Sequence, residues 1–184
     1  MRIAAKRWVF ATLLPSALCL ALCIILPFLT GQIPQIGVML SPMHIPVLLC
    51  GFICGWPYGL VVGFVAPLLR GAMFSMPALM PNGITMAFEL ATYGILSGIL
   101  YRMLPKKIPF IYVSLILSMI GGRIVYGVFR FILLGINGTE FSMAAWVAGT
   151  ITGSIPGIII HIILIPLVVI ALQKSGLIPG EGKK

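Results

Sequence analysis

Aspartate is absent from this chain of 184 residues, and three glutamates stand against twelve lysines and arginines. Without aspartate there is no paired-carboxylate metal site of the phosphotransferase type. The phosphate-cradling pattern G-x-x-x-x-G-K-[ST] is missing, because the tail Gly176…Gly182-Lys183-Lys184 has the wrong spacing and no helix to follow. Neither a G-x-S-x-G nucleophile elbow nor an H-E-x-x-H zinc motif occurs. The sequence therefore offers no catalytic residue, no metal site and no means of hydrolysing ATP, and it does not read as an enzyme. The apolar runs are continuous rather than alternating, which excludes a transmembrane β-barrel. No inverted repeat of the kind built into many secondary carriers is visible.

Cysteine is sparse, and its placement is helical. Cys19 and Cys23, and Cys50 and Cys54, are i, i+4 pairs inside apolar segments. Zinc takes close polar ligands in fixed geometry, and no histidine lies at matching spacing. Core packing is the expectation for the four thiols, with metal or redox work as the alternative. The basic start and apolar run imitate a secretory signal, but the run from Trp8 to about Thr30 is too long and lacks a small-x-small cleavage site. Leu20-Ala21-Leu22-Cys23 resembles a lipoprotein site with too bulky a residue before the cysteine.

What remains is overwhelmingly apolar: 60% of residues are hydrophobic and 8% charged, with mean hydropathy +1.17. That lies far from soluble globular composition. A spanning helix needs roughly 20 apolar residues, and six segments are expected, about 8–30, 43–55, 57–72, 83–103, 108–136 and 143–172. Residues 1–184 then form a single integral membrane domain, an all-α bundle of six transmembrane helices. The second and third segments are short and split only by Gly55-Trp56-Pro57; proline disfavours helix at the residue before it, so a tight helical hairpin is expected. The uncharged stretches 31–42 and 71–82 are read as loops that either fold over the membrane surface as a lid or lie in the interface. Small residues at four-residue spacing let helix backbones approach closely. Such stripes occur at Gly51/Gly55, Gly59/Gly63, Gly94/Gly98 and Gly149/Gly153/Gly157.

The net charge of +9 is not a nucleic-acid signal. Nine of the twelve basic residues fall in three short places: Arg2, Lys6 and Arg7; Arg102, Lys106 and Lys107; Lys174, Lys183 and Lys184. They read as topology determinants and contacts for anionic lipid. Both termini and the 102–107 connection are then cytoplasmic, and 31–42, 71–82 and 137–142 face outside.

Three arginines and one glutamate, Arg70, Arg123, Arg130 and Glu89, sit inside the apolar segments. Charge inside a membrane marks a functional site by default. Arg123, Tyr126 and Arg130 are i, i+3, i+7 on one helical face, and Thr85, Glu89 and either Thr92 or Tyr93 share another. With Asn82 and Asn137 at the outer rim, these faces would line a pocket in the outer half of the bundle. Arginine suits bidentate binding of carboxylate or phosphate, so the excess of arginine over glutamate points to a small anion. In the alternative, Glu89 bridges one arginine structurally, while Arg70 and Arg130 snorkel to headgroups. His44, at the start of the second helix, either touches ligand or caps the helix. His161, among isoleucines, is expected to pack as a neutral ring. Trp56 and Trp146 lie near predicted membrane faces, with Phe141 near Trp146 on the outer side.

The stretch Met39-Leu40-Ser41-Pro42-Met43-His44-Ile45-Pro46-Val47-Leu48-Leu49-Cys50-Gly51-Phe52 resembles the second-helix region of the substrate-binding S components of energy-coupling factor (ECF) vitamin transporters. Pro67-Leu68-Leu69-Arg70 and Met86-Ala87-Phe88-Glu89-Leu90-Ala91-Thr92-Tyr93-Gly94 extend the resemblance, which is nearest the pantothenate-type group. It implies a subunit of the bacterial cell membrane that captures a micronutrient from outside and releases it inside by toppling. The implied partners are a transmembrane coupling protein and two cytoplasmic ATPase subunits, which use the ATP; the chain itself would carry no cofactor. Ala17 and Ala21 match the alanine-x-x-x-alanine pattern with which family members dock on the coupling protein. The competing expectation is a stand-alone secondary carrier for a small organic anion.

Overall fold

In lipid every backbone N–H and C=O must be satisfied within the protein, and a helix does this within one segment. The computed structural model describes residues 2–30, 33–136 and 152–178, with the backbone alone at residues 2–11, 34, 38, 136 and 152. Among the described residues are seven α-helices and no strand: α1 (Arg2–Leu29), α2 (Pro34–Leu40), α3 (His44–Cys54), α4 (Trp56–Phe74), α5 (Ile84–Met103), α6 (Ile108–Ile136) and α7 (Ile155–Lys174). α1, α4, α5, α6 and α7 are long and apolar enough to cross a membrane. α3, with 11 residues, rises about 16 Å, roughly half of a hydrocarbon core.

Several boundaries differ from the sequence reading, for local reasons. The stretch 31–42 contains α2, not only loop. Pro34 opens that helix, where its missing N–H costs nothing, and Ser41 ends it in the left-handed region at φ 45°. α4 runs on to Phe74, and Ser75 closes it with φ 57° and an N–H to the Gly71 carbonyl. The chain then enters α5 through the π-helical turn Leu79–Gly83. The described part of the last segment begins with the 3-10 turn Thr152–Ser154. Residues 143–151 and the loop 137–142, with Asn137, Glu140, Phe141, Trp146 and Gly149, lie outside the described residues.

Two glycine-lined seams press α5 against its neighbours. A Cβ on Gly94 would sit 2.2 Å from the Gly59 carbonyl, and one on Gly63 would sit 2.4 Å from the Leu90 carbonyl oxygen. Gly51 meets Ser97 in the same way between α3 and α5. Gly51, Gly59, Gly63, Gly94 and Gly98 thus serve packing inside the bundle, as small residues do in lipid where water supplies no driving force. Val47, Leu48, Leu90, Leu115, Ile165 and Val169 fill the core. Cys19, Cys23, Cys50 and Cys54 are buried there as free thiols.

The connections sort to two ends. At one, Gln173 Nε2 donates to Tyr101 Oη at 2.8 Å and Lys106 Nζ lies 3.9 Å above the Tyr101 ring. Thr12 and Tyr58 meet at the same end at 3.0 Å. Arg102, Lys106, Lys107 and Lys174 therefore gather together, and the start of α1 lies at that end. α2, the 75–83 connection and the start of α7 form the other end. Between them the outward faces are apolar, as at Leu18, Ile120, Ile124 and Ile163, and suit contact with lipid tails.

Candidate substrate-binding site

α5 presents Thr85, Glu89 and Tyr93 to the interior, none more than 1% exposed. Their spacing of four residues puts them on one face. Thr92, the alternative to Tyr93 for this face, instead turns its hydroxyl to the Phe88 carbonyl at 2.8 Å. The Glu89 carboxylate is the centre of the polar core. Its Oε1 accepts from Tyr93 Oη at 2.9 Å and from Arg123 Nη1 at 2.9 Å, and His44 Nε2 stands 3.6 Å away. A carboxylate so far from water survives only if paired and hydrogen-bonded. The buried-bridge reading of Glu89 is therefore what the fold contains, and Arg123 is the partner.

α6 supplies Arg123 and Tyr126 from one face. Gly122 lets α6 approach the Tyr93 ring, where a Cβ would come within 2.1 Å of ring carbon Cε1. His44 stands at the start of α3 without acting as a side-chain cap. Its ring lies 5.9 Å from that of His161, at an interplanar angle of 17°, and 5.2 Å from that of Tyr93. None of the four ring nitrogens of these two buried histidines makes a hydrogen bond among the described residues.

Arg70, 3% exposed, is placed differently from a snorkelling arginine. Its Nη1 donates to the Ile24 carbonyl at 2.6 Å. The guanidinium carbon sits 4.9 Å from the Phe28 ring centroid and 5.4 Å from that of Phe74, within cation–π range. Ile24 precedes Pro27 in α1, where the proline ring disturbs the helical hydrogen-bond ladder. Arg130 Nη1 donates to Asn82 Oδ1 at the rim, and thus bonds a side chain of the protein.

These elements enclose a cavity of about 480 Å³, within the range of small-ligand sites, bordered by His44, Arg70, Asn82, Glu89, Arg123 and Tyr126. Of the eight residues expected from sequence, those six reach it. Tyr93 lies behind Glu89, and Arg130 bonds Asn82 beside the cavity. A model of the substrate-specific component of ECF transporters matches residues 12–169. The chain belongs to that family. Comparison with curated proteins and with solved structures gave no match.

This S component is thus a substrate-specific subunit of an ECF transporter, a multi-pass membrane protein and not a member of an enzyme family. S components work with a membrane coupling protein and ATPases. Ala17 and Ala21 are exposed on α1, beside Leu14 at 75% and Leu18 at 61%. The cavity also uses groups that the sequence reading missed: the buried Ser41, Met43 and Ser154, and Met86. Serine and methionine occur throughout an apolar chain, so only Ser41, in the proline-containing stretch ahead of α3, carried a signal.

Proposed function

We propose that this S component captures a small anionic vitamin, a pantothenate-like monocarboxylate, in the cavity between α3, α4, α5 and α6, from outside the bacterial cell membrane. The observation that carries this reading is charge. Arg70 and Arg123 border the cavity, and Glu89 is the one carboxylate there among the described residues. Counting these two arginines against that glutamate, a single positive charge is left for the ligand to neutralise. Asn82, Tyr126, Ser41 and Ser154 offer neutral hydrogen-bonding groups, which suit hydroxyls and amides. In this reading the termini are cytoplasmic, as the basic residues gathered at one end favour. The Ala17–Ala21 face docks on the coupling protein, and the subunit topples to release its ligand inside. ATP is consumed by two cytoplasmic ATPase subunits, with no cofactor in the chain itself.

Calorimetry of the purified chain in detergent, against a panel of B vitamins with pantothenate first, tests the reading. One-to-one nanomolar binding of a single anionic vitamin is the expected result. No binding by a folded, monodisperse sample would overturn it. Uptake by the chain alone in liposomes would instead establish the stand-alone carrier for an organic anion.

A further inference from the structure

The three intramembrane arginines are not equivalent. Arg123 has its counter-ion, Glu89 Oε1, at 2.9 Å. Arg130 has the amide oxygen of Asn82 and is only partly buried at the rim. Arg70 alone combines near-complete burial, at 3% exposure, with no carboxylate within ion-pair distance among the described residues. Its contacts are one backbone carbonyl and two aromatic faces. Those contacts orient the guanidinium through dipole and quadrupole without cancelling its charge. One hydrogen bond is assigned to a group with five N–H donors, and the side chain borders the cavity. A buried charge is costly unless paired, so this site is arranged to receive its counter-ion from the cavity.

We infer that Arg70 is the anion-recognising group of the cavity, and that it binds the carboxylate of a monoanionic ligand as a bidentate fork. The Glu89–Arg123 pair stays intact beneath it and faces the neutral part of the ligand. This rests on the cavity being the substrate site proposed above. It goes further in dividing the roles: Arg70 sets the preference for acid over neutral analogue, while Arg123 holds the shape of the site.

The test compares acid and neutral members of two ligand pairs, pantothenate with its alcohol analogue and nicotinate with nicotinamide, by calorimetry on the full chain. The wild type should bind the acid of one pair about 10–100-fold more tightly, the range expected for charge-assisted hydrogen bonds. Arg70→Gln should bring the two affinities together, whereas Arg123→Gln should weaken both members alike. If Arg70→Gln is not monodisperse, Arg70→Lys decides: loss of the fork should cut the preference about tenfold, and an undiminished preference would overturn the inference. An acid preference that survives Arg70→Gln but disappears in Arg123→Gln would overturn it too, and leave the vitamin-binding function standing. Equal binding of acid and neutral ligand by the wild type would refute the monoanion. Failure of the wild type to bind either pair would overturn this inference for a pantothenate-like acid, while the proposed function falls only if the whole vitamin panel fails.

Discussion

Removing Arg123 should leave a buried carboxylate without its cationic partner. Glu89 is 1% exposed and its Oε1 meets Arg123 Nη1 at 2.9 Å. After Arg123→Met, the Tyr93 hydroxyl at 2.9 Å remains, with His44 Nε2 at 3.6 Å, too far for a hydrogen bond. Breaking a buried pair from one side costs about 3–5 kcal/mol, while replacing both partners by apolar residues of similar volume is often near neutral. For a chain of this length about 2–4 °C accompany each kcal/mol, so the unfolding midpoint should fall by on the order of 10 °C. Glu89→Met combined with Arg123→Met should recover most of that loss. The assay is thermal unfolding of the ligand-free chain in detergent, followed by tryptophan fluorescence and size exclusion. A shift of about a degree or less in Arg123→Met, or additive losses in the double variant, would refute a desolvated and coupled pair.

Three further outcomes follow from the same geometry. Ala17→Trp and Ala21→Trp, on the exposed face of α1, should leave vitamin binding unchanged in calorimetry and abolish ATP-driven uptake with the coupling module; unimpaired uptake would discard the docking face. His44→Phe keeps a ring beside His161 and Tyr93 but removes two ring nitrogens, so it should preserve the unfolding midpoint and weaken ligand binding about tenfold, the scale of one lost hydrogen bond. Unchanged affinity would make His44 a packing residue. Gly122→Ala places a Cβ 2.1 Å from the fully buried Tyr93 ring; overpacking of this kind costs about 1–3 kcal/mol and should lower both midpoint and affinity, whereas Gly135→Ala, with nothing within 4 Å of the added carbon, should change neither.

Much of this was legible because lipid makes polarity rare and therefore informative. Arg70, Glu89, Arg123, Tyr126 and His44 stand out as ionisable or polar side chains in apolar runs and Asn82 as a polar group at the rim, and all six border one cavity. The span 108–136 coincides with α6 because its ends are marked by a lysine–proline turn and by glycine. Contacts that depend on three-dimensional register were not legible. Nothing in sequence says that Arg70 reaches the Ile24 carbonyl, 46 positions away, or that Asn82 Oδ1 rather than a headgroup receives Arg130. The pairing of Glu89 with Arg123, rather than with another arginine, depends on Gly122 letting α6 close on Tyr93. In the sequence Gly122 is just one of 21 glycines.

The shortness of α3 explains why there is a cavity at all. Its last residue, Cys54, lies at the basic end, where Gly98 of α5 touches Trp56. Its first residue, His44, stands beside Glu89, five positions into α5, so α3 stops part-way through the bundle. Above it the chain is not a continuing helix but the turn 41–43 and the seven-residue α2. The volume that a full-length helix would occupy is left to the cavity, which Gly37, Ser41, Pro42, Met43 and His44 border from this side. The proline-rich segment Ser41-Pro42-Met43-His44-Ile45-Pro46 stops the helix there, since proline cannot donate to a preceding turn. The same residues that carried the family resemblance thus open the space for a ligand, and extending α3 by one turn through them would close it.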